Sequence, residues 1–269
     1  MLLGALILSS LPVVQAEERD CVDLPVIMYH HMHTSPERWG DYVIPPETLD
    51  GDLAYLQARG YETVTLDQLL DYVNGEGELP EKPILITFDD GQESFVEYGL
   101  PILEKYQMSA VLAVVGKYAD DFTATEDHNI NYSHISWPAL GELAENPYVE
   151  LQSHTYDMHK LTERKGCSIM PGEAKVDYVR NLTADLSLNE ERFEQYVGEK
   201  PIAFAYPYGR YCQEAFDVLK DMGYKIIFTC ESRINKLTQD GGDCLLNLGR
   251  YNRSNKLVRE SFFAQMGIV

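Results

Sequence analysis

The sequence predicts an α/β protein built on parallel strands, and three observations carry that prediction. Apolar runs of strand length alternate with segments of helical periodicity along most of the 269 residues. The runs show no polar alternation, as expected of strands covered on both faces. The segments between them reach helical length, as a right-handed crossover between parallel strands requires. Roughly seven or eight repeats of unequal length suit a closed or nearly closed barrel better than an open sheet.

The opening stretch, "MLLGALILSSLPVVQAEERD", predicts an export signal over residues 1–16. Leu2 to Leu8 form an apolar core, Pro12 breaks it, and Val14-Gln15-Ala16 resembles a small-residue cleavage site. No basic residue precedes the core, and the run is too short to span a bilayer. The expectation is a secreted or cell-surface protein with no stable membrane span after cleavage.

Residues 22–269 are expected to form one domain, since no linker or repeat divides them. "LPVIMYHHMH" reads as a short strand running into three histidines. Pro45-Pro46 opens a helix that places Leu49, Leu53 and Leu56 on one face and stops at Gly60. "YETVTL" is strand-like and "LDQLLDYV" helical, and "NGEGELPEKP" is a Gly/Pro-rich joint. Ile84 to Phe88 form a buried strand, and Ser94 opens a helical pattern interrupted by Pro101. "SAVLAVV" and "YVELQSH" are strands flanking a helix, "SWPALGELAEN", that Ser136 should cap. A long amphipathic helix is expected from Gly172 to Val197. "PIAFAYPYG" is a strand and turn, "QEAFDVLKDMG" a helix, and "YKIIFTC" a strand.

Lys and Arg total 22 against 43 Asp and Glu, a net charge of -21. That balance argues against nucleic acid and anionic membranes as partners. It would suit a polysaccharide that acquires amines, although a merely well-solvated surface explains it too. The five cysteines show no metal-ligand spacing. An exported chain allows disulfides, and Cys230 with Cys244 would close a polar loop if paired.

Three stretches carry chemistry, each after a strand. In "PILITFDDGQESF" the apolar strand ends on Asp89 and Asp90. Adjacent strand residues point to opposite sides, so two carboxylates with two tasks are expected. In "ELQSHTYDMH", His154 and His159 stand five residues apart; with a carboxylate they make a three-ligand site for a divalent cation. Singly, each histidine would more often be structural. In "AFAYPYGRY", Pro207 and Gly209 force a turn that directs the Tyr208 N–H outward, where it could stabilise an oxyanion.

In this order, "TFDDG", "SHTYDMH" and "AYPYG" resemble the motifs of polysaccharide deacetylases, the NodB-homology carbohydrate esterase family 4. The resemblance covers residues 83–269. It implies a distorted (β/α) barrel of about seven parallel strands, and an enzyme that removes N-acetyl groups from an N-acetylhexosamine polymer with a divalent metal. By the same resemblance Asp89 is the general base, and Asp90, His154 and His159 hold the metal. Zinc is expected, with cobalt, nickel or iron also compatible with those donors. The oxyanion would rest by the Tyr208 amide, beside Pro207.

The sequence departs from the common family pattern twice. No histidine follows His159 to supply the usual acid, and Ala203 and Ala205 stand where an arginine is usual. The early "VIMYHHMH" resembles instead the subgroup of biofilm poly-N-acetylglucosamine deacetylases, whose acid comes from an N-terminal strand. His30 matches it best, His31 should point to the other side, and polar surface-turn histidines are the alternative. Arg250 in "NLGRYNR" is the candidate to orient Asp89. Trp137 is either a sugar platform or, more commonly at a helix start, a core anchor. A catalytically inactive carbohydrate-binding relative is the competing function. A glycoside hydrolase fits less well, because it needs carboxyls roughly 5–9.5 Å apart across a bond.

Overall fold

The computed structural model describes residues 21–162, 164–239 and 241–269; the expected export signal lies outside them. Seven parallel strands form one curled sheet, in the order Ile226–Phe228, Ala203–Ala205, Val149–Ser153, Ala110–Val114, Pro83–Phe88, Val26–Tyr29, Tyr251–Asn252. Glu62–Thr63 adds a short parallel pairing to the start of Pro83–Phe88. The two edges approach through the segment ending in Tyr251–Asn252. Leu248 bridges Phe228 in parallel on one side, and Tyr251 pairs with Ile27 on the other. A nearly closed barrel results, and Arg250 sits in its closing seam.

Every residue of Pro83–Phe88 and of Ala110–Val114 is buried, as a run without polar alternation requires. Alternation sorts them by face. Ile84, Ile86 and Phe88 pack outward with Leu49, Leu53 and Leu56 of the Pro46–Gln57 helix. Leu85 and Val111 pack with Ala203, Ile226 and Phe228 in a second cluster. The helix Leu66–Val73 sends Leu66, Leu69, Tyr72 and Val73 into that second cluster. Its start is fixed by a reciprocal cap: Gln68 N–H donates to Thr65 Oγ1 and Thr65 N–H to Gln68 Oε1. Truncating one such leucine, Leu69→Ala, would cost about 2–5 kcal/mol.

Elsewhere the expected elements appear with shifted ends. The long helix runs Lys175–Tyr196, inside the expected span. The pattern opened by Ser94 becomes a π-helical turn over Phe95–Gly99, followed by a helix over Leu100–Tyr106 that takes Pro101 into its first turn. Ser136 occupies the N-cap position of Trp137–Leu143, but its side chain makes no capping bond. Among the described residues no helix is long and apolar enough to cross a membrane.

Candidate active site

Leu85, Thr87 and Asp89 follow one strand parity, so Asp89 continues the line that faces the barrel interior. There it meets Arg250. Nη1 donates to Asp89 Oδ1 at 2.7 Å and Nη2 to Oδ2 at 2.8 Å, a bidentate clamp with both side chains buried. Arg250 is itself held by Nε donating to Thr229 O at 3.0 Å and Nη1 to Thr87 Oγ1 at 3.1 Å. Burial alone would raise the Asp89 carboxyl, but the Arg250 charge and hydrogen bonds outweigh it and hold it below the usual value. Asp89 is therefore an ionised carboxylate with a fixed orientation.

The strand alternation expected from the sequence does not place Asp90. The strand ends at Phe88, and Asp90 adopts a left-handed conformation at φ 77° that brings its carboxylate into the same cavity as Asp89. The division between the two aspartates is thus made by a turn. His154 follows the strand Val149–Ser153, and its Nδ1–H donates to Ala205 O at 2.8 Å. That bond fixes the tautomer and leaves Nε2 as a lone-pair donor, 3.6 Å from Asp90 Oδ1. His159 Nε2 stands 3.0 Å from the same oxygen.

Ligand atoms of Asp90, His154 and His159 lie within 4.8 Å of one another, the one such cluster found among the described residues. Asp90 Oδ1 is buried and completes no hydrogen bond, although two imidazole nitrogens face it. An orphaned carboxylate oxygen between two imidazoles is the arrangement a divalent cation would satisfy. These residues fit a metal. Burial, opposed by the charges of Asp89 and Asp90, pushes His154 down to about 4, so the ring is neutral, as a ligand must be.

His30 extends the Val26, Met28 parity past the end of its strand and lines the cavity with Asp89, Asp90, His154, His159 and Tyr208. That cavity measures about 340 Å³. Burial lowers the His30 imidazole against the pull of Asp90 and Asp89, and its Nδ1 is buried without a partner. Pro207, Tyr208 and Gly209 form a tight turn, with Tyr208 left-handed at φ 58°. A side chain at Gly209 would place its Cβ 2.8 Å from that of Cys230, so only glycine fits.

Other sequence expectations fall differently. His31 and His33 are buried, not in a surface turn: His31 Nδ1 pairs with Ser94 Oγ at 2.8 Å, and His33 Nε2 with Asn131 Oδ1 at 2.9 Å. Trp137 is fully buried and donates to Asp120, so it anchors the core and offers no sugar platform. All five cysteines are free; Cys230 packs beside Met28 at the cavity wall and is not joined to Cys244. Sequence reasoning missed Tyr42 and Cys230 in the cavity wall, and Tyr118, whose hydroxyl reaches His159. Tyr118 sits just past the carboxyl end of Ala110–Val114, which is a positional signal.

The chain is an α/β barrel protein with a candidate metal centre at its strand ends. The model of the polysaccharide deacetylase family matches residues 76–227, more than half of the chain, and the chain belongs to that family. His30 and Arg250 lie outside the matched span. Over 205 residues the chain is 30% identical to the poly-beta-1,6-N-acetyl-D-glucosamine N-deacetylase of Escherichia coli, covering 69% of this chain and 30% of that protein. The Staphylococcus aureus protein of the same name is 24% identical over 203 residues, covering 76% of this chain and 66% of that one. The chain therefore spans only about a third of the Escherichia coli relative. Among solved structures, a de-N-acetylase from Aggregatibacter actinomycetemcomitans superposes with a TM-score of 0.79 at 25% identity, covering 91% of this chain and all of that one. IcaB from Ammonifex degensii gives 0.75 at 25% identity, covering 91% and 97%.

Proposed function

We propose that this protein is a metal-dependent hydrolase that removes N-acetyl groups from an N-acetylhexosamine polymer, of the poly-β-1,6-N-acetylglucosamine type named for its relatives. One observation carries the reading: a three-donor cluster and an Arg-clamped carboxylate share one cavity with an imidazole that has a free ring nitrogen. Asp90, His154 and His159 would hold the cation, which we take to be zinc, with cobalt, nickel or iron as substitutes. When bound, it supplies Lewis acidity toward the amide carbonyl and water.

The chain's own groups do the rest. Asp89, fixed by Arg250 and ionised, accepts a proton from the attacking water. The Tyr208 backbone N–H, on the turn begun by Pro207, donates to the developing oxyanion. The proton that Asp89 takes from water would pass to His30, whose Nδ1 has no partner, and from there to the departing amine, leaving both groups as they began. Tyr42 is exposed and lines the same cavity with its ring 4.9 Å from His30, so a sugar ring entering there would meet it.

The inactive carbohydrate-binding alternative drew on the missing arginine and acid. His30 lines the cavity and Arg250 clamps Asp89 from behind it, groups of the kinds thought missing, so no observation favours it. The charge of -21 suits a product that becomes cationic as acetyl groups leave. We also propose export to the cell surface or medium, on the apolar Leu2–Leu8 run and Val14-Gln15-Ala16, and one domain over residues 22–269. Acetate release from poly-β-1,6-N-acetylglucosamine and acetylated chito-oligosaccharides tests the activity, after chelation and with metal restored. No acetate from either polymer with the metal bound would return the reading to a binding protein.

A further inference from the structure

The two imidazoles of the candidate metal centre are held differently. His154 Nδ1 meets the carbonyl of Ala205, which only accepts, so that ring has a single neutral tautomer. His159 Nδ1 meets hydroxyls instead: Tyr208 Oη at 3.1 Å and Tyr118 Oη at 3.4 Å. Tyr118 also lies 3.2 Å from the His159 carbonyl oxygen, to which its O–H donates. With that proton committed, Tyr118 Oη could only accept from the ring, and at 3.4 Å this contact is the longer of the two. The Tyr208 ring lies 4.5 Å from the His159 ring and tilted by 35°.

We propose that the Tyr208 phenol is the positioning partner of His159, accepting its Nδ1–H and so presenting Nε2 to a metal ion. This rests on reading Asp90, His154 and His159 as metal ligands. For Nε2 to offer its lone pair, a neutral His159 must carry its proton on Nδ1, and that proton needs an acceptor. Tyr208 Oη is the nearest oxygen recorded there. A hydroxyl both donates and accepts, so it serves His159 in either tautomer, unlike the carbonyl that serves His154. One residue would then contribute twice, its phenol to the ligand and the backbone N–H of its left-handed turn to the oxyanion proposed above. Tyr208 is thus a positioning residue for the centre in addition to its backbone role.

The test is Co(II) titration of the chelator-stripped full chain, reading visible absorption and the dissociation constant. His154→Ala should abolish site binding. Tyr208→Phe keeps the ring, the turn and the backbone N–H and removes one oxygen. It should weaken Co(II) binding by about 10–100-fold and shift the absorption bands. Tyr118→Phe should cost less than about threefold, as a long contact implies. Tyr208 is 40% exposed, so Tyr208→Phe should leave the melting temperature of the metal-free chain unchanged. If His154→Ala leaves Co(II) binding intact, the metal reading fails and this inference with it. Loss in His154→Ala with Tyr208→Phe indistinguishable from the natural chain overturns the phenol's role alone. A larger loss in Tyr118→Phe than in Tyr208→Phe overturns it in favour of Tyr118.

Discussion

Arg250→Met separates an orienting role for the guanidinium from a merely structural one. The substitution keeps much of the apolar volume but leaves Asp89, 3% exposed, without its counter-charge. Removing one partner of a buried pair costs about 3–5 kcal/mol, because the remaining charge stays desolvated. The carboxyl escapes part of that cost by taking a proton. In the natural chain Arg250 holds Asp89 below its usual value against the pull of burial, so the carboxylate proposed as base is ionised across the working range. In the variant only burial and the weaker neighbours remain, and the pKa rises. Turnover should fall at least about 100-fold near neutrality, the lower range for a lost base. The acid limb of the rate profile should move to higher pH, so that part of the lost rate returns as pH rises. Arg250→Lys keeps a charge without the planar fork and should fall between. Rate profiles from pH 5 to 9, with urea midpoints, check this. A variant with natural turnover and an unmoved acid limb would show that Arg250 does not set the state of Asp89.

The remaining expectations are short. Asp89→Asn should retain metal and lose about 10²–10⁴ in turnover, whereas Asp90→Asn should lose metal and turnover together; equal metal content with full activity in both would refute the division. His30→Ala should lower turnover by a comparable about 10²–10⁴-fold with metal content intact. His31→Ala should act mainly on stability, since it removes the partner of Ser94 Oγ; the reverse ranking in turnover would remove His30 as the acid. Glu150 lies away from the cavity and accepts from Leu66 N–H, yet burial pushes its carboxyl up from 4.5 to about 7. The folded state therefore binds more protons than the unfolded one between those values, and this glutamate's contribution to stability declines as pH rises through them. Glu150→Gln should gain on the order of 2–3 kcal/mol at pH 8 relative to its effect at pH 4, an upper bound for a partly exposed group; a pH-independent difference in urea midpoints would refute this.

How far the sequence carried the structure depended on whether local pattern or long-range closure decided a feature. The parallel sheet was legible because apolar runs such as Ile84 to Phe88 admit no solvent face; "LDQLLDYV" was legible as a helix, but the strand-like reading of "YETVTL" overlapped it at Leu66, and the Thr65–Gln68 cap is what sets its start. Metal-donor residues could be nominated because each follows a strand end. Their convergence came from the family resemblance and not from local pattern, since it needs the sheet to curl and bring Val149–Ser153 beside Ala110–Val114.

Asp90 shows the limit most clearly. Strand alternation placed it opposite Asp89, but alternation holds only while the backbone stays extended, and the chain turns left-handed one residue after Asp89. Gly91 follows with a positive φ as well, and its Cα faces Val114, where an added Cβ would come to 3.5 Å. A strand-end Asp-Asp-Gly is therefore better read as strand, then turn: the first aspartate inherits the parity of the strand, and the second is aimed by the turn. The same logic explains why Arg250 was harder to place than Asp89. Nothing local fixes where its segment runs; its position follows from Leu248 pairing with one sheet edge and Tyr251 with the other. A side chain in that seam must either fill the interior or find a buried partner there, and for an arginine only a carboxylate such as Asp89 offsets the desolvation of its charge.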